Sequence, residues 1–219
     1  YKDGGIIGGE TNPTLIINNV ALTDIADYTC QINGVCGNPL SAPGHLAVDV
    51  APVITTQPQT ATVCSVLPHS LSVIPTGSNL SFQWVKDGLD IPGATNQVYN
   101  IAAFAAGNAG VYYCKITNNC GTINTNNATL SIGSTTTVTN PVAVSDCQNN
   151  DVIFSVTAGG SNLTYQWLQD GAPLSDNASI IGSNTSQLSL LSVQPADEAV
   201  YSCQVTGTCN IATSLGASL

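Results

Sequence analysis

An all-β chain of sandwich domains in tandem is the architecture this sequence predicts, and three observations predict it. One motif, two cysteines separated by five residues, occurs at Cys30–Cys36, Cys114–Cys120 and Cys203–Cys209. The spacing between copies repeats: Cys30 to Cys114 and Cys36 to Cys120 are both 84 residues, while Cys64 to Cys147 and Trp84 to Trp167 are both 83. Self-similarity at a fixed period is the mark of a tandem array and outranks any local reading. Between these landmarks lie short runs rich in Val, Ile, Tyr and Thr, bounded by Gly, Asn or Pro. None sustains an apolar period of ~3.6 residues.

The first unit, residues 1–50, opens on YKDGGIIGG and carries CQINGVC. Alignment with the later units predicts a Trp immediately before Tyr1, so this unit reads as the C-terminal part of a domain whose N-terminal strands are missing. The second unit, residues 51–133, reads as complete. Its strands are LSVIP (71–75), LSFQWV (80–85), QVYNIAAF (97–104), VYYCKIT (111–117) and ATLSI (128–132). IAAFAAGNAG (101–110) is the one stretch with a helical look, but it is short and holds two glycines. The third unit, residues 134–219, repeats SFQWVKDGLDIPGA as TYQWLQDGAPLSD. The 89 residues from Cys114 to Cys203 place an insertion in SDNASIIGSNTSQ (175–187), a polar segment expected to be loop. Leu219 follows Cys209 by ten residues, as Leu130 follows Cys120 and Leu46 follows Cys36, so the third unit is expected to stop within its last strand. Units of about 84 residues with about seven short strands predict a two-sheet sandwich.

A longer motif runs through all three units, D-x-[GA]-x-Y-x-C. It appears as Asp24-x-Ala26-x-Tyr28-x-Cys30, Asn108-x-Gly110-x-Tyr112-x-Cys114 and Asp197-x-Ala199-x-Tyr201-x-Cys203, preceded in two units by Trp84 and Trp167. On these residues the chain resembles the immunoglobulin fold. More narrowly, it is similar to the I-set-like tandem repeats of large bacterial secreted and cell-surface adhesin-type proteins, which carry a YQW-x-KDG-x-x-IPGAT stretch and a Cys-Gly after strand F. The resemblance implies that Trp84 and Trp167 are core residues on strand C. It also implies that Tyr28, Tyr112 and Tyr201 close the corner before strand F. The strand-B position that pairs with the strand-F Cys in antibody domains holds Val73 and Val156 here, so that inter-sheet disulfide is absent.

Two arrangements of the thiols are open. Asn33-Gly34 and Thr206-Gly207 predict a two-residue hairpin turn that sends the two cysteines of each motif to opposite faces, and only an odd-length loop would let them bridge. The resemblance implies the other arrangement. The F–G hairpin tip of an immunoglobulin domain abuts the preceding domain, and the third cysteine of each unit ends the first strand at the opposite pole. Cys64 is then expected to pair with Cys209 across a domain boundary, and Cys36, Cys120 and Cys147 with units outside the chain. Cys30, Cys114 and Cys203 are left as buried thiols, or as hairpin partners in the first arrangement.

Composition excludes several functions. Three Lys or Arg against 13 Asp or Glu, and a net charge of −10, cannot make a phosphate-binding face, so neither nucleic acid nor an anionic membrane is an expected partner. No apolar run approaches the ~18 residues of a membrane span. Eight cysteines point to an oxidising, extracellular setting. Their spacing does not fit zinc, and His45 and His69 stand alone. No nucleophile, base and acid form a catalytic set, so no enzyme activity and no cofactor are expected. Asp3, Asp87 and Asp170, each followed by Gly, read as turn residues. Asp146 and Asp151 flank Cys147 and offer oxygen ligands to Ca²⁺, with solvated turn acids as the plainer reading. Five N-x-S/T sequons occur, at Asn79, Asn127, Asn162, Asn177 and Asn184.

The expected function is a structural and adhesive extracellular module, a segment of a long array forming a cell-surface stalk, adhesin or fibre. Its expected partners are neighbouring immunoglobulin-like domains of the same or another chain, together with surface glycans or proteins. The alternative is a ligand-binding, carbohydrate-binding accessory module of a secreted enzyme, which calls for an exposed aromatic cluster.

Overall fold

The computed structural model describes residues 1–219. Residues 1–50 form two short antiparallel strands, β1 (Ala26–Tyr28) and β2 (Gly44–Leu46), with isolated bridges from Lys2 to Tyr28 and from Gln31 to Leu40. No second layer of strands faces them, and Ala26 alone is buried in this segment.

The next stretch holds β3 (Val53–Thr56), β4 (Ala61–Cys64), β5 (His69–Ser72), β6 (Ile74–Thr76), β7 (Ser81–Lys86), β8 (Leu89–Asp90), β9 (Val98–Ile101), β10 (Gly110–Asn118), β11 (Gly121–Asn124) and β12 (Ala128–Gly133). One sheet runs β4-β12-β10-β7-β8, with β11 continuing the β10 hairpin, and the pairs β3–β6 and β5–β9 make the opposite face. Only β4 and β12 run parallel. Along β10 the side chains alternate, as a pleated strand requires. Tyr112, Cys114 and Ile116 are fully buried against Trp84, Leu71 and Val73, while their neighbours are half exposed.

The third stretch repeats the plan with β13 (Thr137–Val138), β14 (Val152–Ser155), β15 (Ala158–Gly159), β16 (Thr164–Gln169), β17 (Ala172–Pro173), β18 (Ile180–Ile181), β19 (Gln187–Leu190), β20 (Val200–Thr206), β21 (Ile211–Thr213) and β22 (Ala217–Ser218). The sheet β17-β16-β20-β21, with β22 also on β20, faces β14-β19-β18. Between them lies a core that includes Phe154, Val156, Trp167, Leu188, Tyr201 and Cys203.

Three sequence expectations change. The insertion 175–187 is not all loop, because Ile180 and Ile181 form an edge strand on β19. Ile180 packs on the core, and Asn177 accepts hydrogen bonds from the backbone N–H groups of Ser179 and Ile180, so this otherwise polar run is ordered locally. LSVIP is two strands, since the chain switches partner at Val73, from β9 to β3. The helical-looking stretch 101–110 contributes the end of β9 and a single 3-10 turn at Ala106–Asn108.

Candidate functional site at the unit junctions

The D-x-[GA]-x-Y-x-C motif builds the same corner three times. The carboxylate or amide of Asp24, Asn108 and Asp197 accepts the N–H three residues earlier, at 2.9, 2.9 and 2.8 Å, capping a 3-10 turn. The hydroxyl of Tyr28, Tyr112 and Tyr201 donates to the carbonyl of that same residue, at 2.9, 2.6 and 2.8 Å. The corner thereby fixes where strand F begins, and the strand carries its cysteine into the sandwich two residues later.

Cys114 and Cys203 are fully buried free thiols, and burial pushes each up to about 11. The expectation that Cys30 is buried is wrong: it is exposed, because β1 and β2 have no opposing sheet to cover that face. All three share a partner that the motif search missed. A hydroxyl eleven residues on, at Ser41, Thr125 or Ser214, accepts the cysteine N–H at 2.9 Å, and its own N–H returns to the cysteine carbonyl. A Ser or Thr at Cys+11 in every unit was the available signal.

Each strand-F hairpin ends in a two-residue turn, but two residues later than Asn33-Gly34 predicts. Asn118 pairs with Gly121, and Gly34 with Gly37, so the second cysteine of the motif itself occupies the tip. Neither Asn33 nor Gly34 has the positive φ that an Asn-Gly hairpin turn requires. In the second unit the Asn118 side chain instead accepts the Cys120 N–H at 2.9 Å, and Gly121 follows at φ +143°. Within a hairpin the two thiols are unbonded in the first two units.

Cys64 and Cys209 form a disulfide, with Cα atoms 5.4 Å apart and a sequence separation of 145. Cys64 ends β4, in parallel register beside Gly133 at the end of β12, and Cys209 is the hairpin tip of the following unit. The bond passes over Gly133, where a Cβ would lie 2.6 Å from the Cys209 sulfur. Around it, Thr136 N–H donates to the Asn210 side chain at 2.7 Å, Ser134 N–H to Ser161 Oγ at 3.0 Å, and Asn162 Nδ2 to Thr208 Oγ1 at 2.9 Å. The peptide between the units is thus anchored by hydrogen bonds, with Thr136 buried and Ser134 and Thr135 exposed.

The preceding junction repeats part of this plan. Val50 N–H donates to Ser78 Oγ at 3.0 Å, as Ser134 does to Ser161. The Cys120 thiol donates to the Asp49 carbonyl at 3.5 Å, so Asp49 stands where Gly133 stands one unit later. Its carboxylate accepts from the side chains of Asn79 at 3.0 Å and Asn119 at 2.7 Å. Asn118 Nδ2 adds bonds to the Val50 and Ser78 carbonyls. One junction is covalent across a glycine, and the other is clasped through a carboxylate. Cys36 and Cys147 are exposed and unbonded.

The remaining candidates serve structure. Trp84 and Trp167 are fully buried, and their indole N–H groups donate to the carbonyls of Asn96 and Thr185. Asp87 and Gly88, at φ 50° and 83°, make a tight turn, as do Asp170-Gly171 and Asp3-Gly4. Hydrogen bonds from Lys86 and then the Val111 N–H hold the Asp87 carboxyl below the usual range. Asp146 takes hydrogen bonds from Asn150 and the Cys147 N–H, which lower it likewise, and Asp151 accepts the Ser192 N–H. Asp146 is therefore engaged in local turn chemistry, and Asp151 in a long-range bond to the segment after β19. No group of three or more His, Cys, Asp and Glu gathers at a metal-sized position.

The fold has counterparts among known proteins. The immunoglobulin-domain family model matches residues 134–206. Three consecutive immunoglobulin domains of titin superpose with a TM-score of 0.58 at 19% identity, covering 78% of this chain and 65% of that one. Extracellular domains 3–5 of Drosophila OTK superpose with a TM-score of 0.54 at 21% identity, covering 91% of this chain and 72% of that one. The fold is a tandem of immunoglobulin-like domains. By sequence, the mouse leucine-rich repeats and immunoglobulin-like domains protein 3 is 24% identical over 213 residues, covering 91% of this chain. The tyrosine-protein kinase-like otk of Drosophila mojavensis is 26% identical over 220 residues, covering 93%. The chain spans about a fifth of these two proteins, 19% and 21% of their lengths. Both are animal proteins, from mouse and Drosophila mojavensis, not the bacterial surface proteins that the sequence motifs led one to expect. No helix of the chain is long and apolar enough to cross a membrane.

Proposed function

We propose that the chain is a load-bearing, adhesive segment of an extracellular array of immunoglobulin-like domains, a stalk or fibre of the bacterial cell-surface kind its motifs resemble, with units divided at 1–50, 51–133 and 134–219. The observation that carries this reading is the Cys64–Cys209 disulfide, which joins the start of one sandwich to the hairpin tip of the next. A bond placed there contributes nothing to a ligand pocket and restrains the angle between domains. Interdomain contacts that are small and polar normally leave domains free to move, so a covalent restraint and a hydrogen-bonded linker serve stiffness. An oxidising compartment suits such a bond, and the OTK fragment of similar fold is described as extracellular. Neighbouring domains of the same kind are the partners most directly supported, with surface proteins or glycans as the adhesive targets.

A carbohydrate-binding accessory module has less support, because the two Trp side chains that would stack on sugars are sealed in the cores. Negative-stain microscopy of the oxidised chain, together with a glycan array probed with each unit, tests the reading. Particles with one fixed bend between the second and third units, and no tight glycan binding by a single unit, are expected. Freely bent particles, or tight binding by one unit, overturn it.

A further inference from the structure

The insertion in the third unit closes a sheet edge that the second unit leaves open. In the third unit Val156 N–H donates to the Ser186 carbonyl, and β14 and β19 pair antiparallel from there. Antiparallel strands alternate between residues whose backbone groups face each other and residues whose groups face away. Gln187 and Ser189 of β19 therefore turn their N–H and C=O outward, and β18 lies along that side. Ile181 stands opposite Ser189, and Leu191 N–H donates to the Ser179 carbonyl at 2.8 Å. Asn177 then blocks the outer side of β18: its side chain accepts the Ile180 N–H, and its own N–H donates to the Ile180 carbonyl.

The second unit repeats the register without the cover. Val73 N–H donates to the Gln97 carbonyl, and β5 and β9 pair from Ser72 and Val98 to His69 and Ile101. By the same alternation Val98 and Asn100 turn their N–H and C=O away from β5, where β9 has no second neighbour. Both residues are exposed. The connecting residues 91–96 bond to strand C instead, the Trp84 N–H donating to the Ala94 carbonyl and its indole to that of Asn96. Natural sheets blunt an open edge with charge, proline or a bulge, and β9 has none of them.

Charge selects the occupant. No Asp, Glu, Lys or Arg occurs at 50–85 or 91–114, and the second unit as a whole holds two Lys and two Asp. The first unit carries one Lys against five acids, and the third carries six acids with no Lys or Arg. Two copies of a chain of charge −10 therefore meet with least repulsion at the second unit, whereas a basic partner finds its complement in the other two. The edge is also self-complementary. With a two-fold axis at Tyr99, Val98 of one copy lies opposite Asn100 of the other and the reverse, so every outward group of both strands is used.

We propose that β9 of one copy pairs antiparallel with β9 of a second copy, joining the two second units into a continuous sheet and linking chains side by side. The pairing goes beyond the stalk reading and does not depend on it, because β9 lies inside the second unit and takes no part in either junction. Since β18 covers the matching edge of the third unit, association stops at a dimer.

The test is sedimentation equilibrium of the full oxidised chain, its exposed thiols blocked with iodoacetamide. Concentrations reach about 1 mM, because a few exposed backbone hydrogen bonds hold a weak dimer. Dimer and nothing larger is expected, tightening as salt screens the −10 on each copy. Amide hydrogen exchange in the segment 97–101 should slow at concentrations where the dimer forms. Val98→Lys should lower the association constant by about tenfold or more, whereas Gln187→Lys, at the matching place on the covered edge, should leave it unchanged. Both side chains are exposed, and an unchanged urea midpoint reports that each variant has folded. Monomer at every concentration, a dimer that survives Val98→Lys, or slowed exchange confined to other segments overturns the proposal. Monomers that keep one fixed bend sink the side-by-side pair and leave the stalk reading intact. Dimers of freely bent chains sink that reading instead.

Discussion

Cys114 and Cys203 sit where an antibody domain keeps half of a disulfide, yet each faces Trp84 or Trp167 and an aliphatic Val73 or Val156 in its core. A thiol there acts as a small hydrophobe, and its proton is held by the absence of water. The sign of the consequence follows directly. The unfolded thiol titrates near 9.0 and the folded one near 11, so the folded state keeps its proton longer. Stability is complete below pH 9 and is lost as pH rises towards 11. Tyr112 and Tyr201, pushed up to about 12 by burial, extend the loss upwards. Urea midpoints should therefore hold steady to about pH 9 and fall between there and pH 11. In Cys114→Ala, Cys203→Ala the decline should begin about one unit higher, where tyrosine takes over. An unchanged onset in that double variant would remove the thiols from the account.

At the scale of elements, the Asp-Gly turn after strand C is the most exacting. Asp87 and Gly88 both hold positive φ, and the Asp87 carboxylate reaches 2.8 Å to the Val111 N–H, tying the turn to the start of strand F. Gly88→Ala should lower stability by about 1–2 kcal/mol, because a Cβ is strained there although nothing crowds it. Denaturant unfolding of that variant checks it, and a loss well below this range would argue against backbone strain. This turn, the Trp strands and the tyrosine corners were legible in the sequence because each rests on residues that only one local geometry suits. The strand-F hairpin was not. Asn33-Gly34 carries the strongest short-range turn signal, but the chain passes through it to an isolated Gly34–Gly37 bridge, because pairing between Gln31 and Leu40 sets the register from outside the dipeptide. The burial of Cys30 was misjudged for a related reason: a motif specifies where a side chain points, whereas burial needs a second sheet to point at. The Asp49 clasp was illegible altogether, since its partners Asn79 and Asn119 are brought to it from distant turns.

For the whole molecule, the disulfide decides how a pull on the two ends is transmitted. Cys64 lies near the start of the second unit and Cys209 near the end of the third, a sequence separation of 145, and the segment between them contains most of both hydrophobic cores. Tension carried into Cys64 passes through the sulfur bridge to Cys209 rather than along the chain between them. Stretching the oxidised chain should withhold about 500 Å of contour length, which appears when the bridge is reduced or Cys64 is replaced by Ser. Single-molecule force spectroscopy reads that difference, and equal lengths with and without reductant would contradict it. The joint between the second and third units thus shunts force past the segment it spans for as long as the bridge stays oxidised.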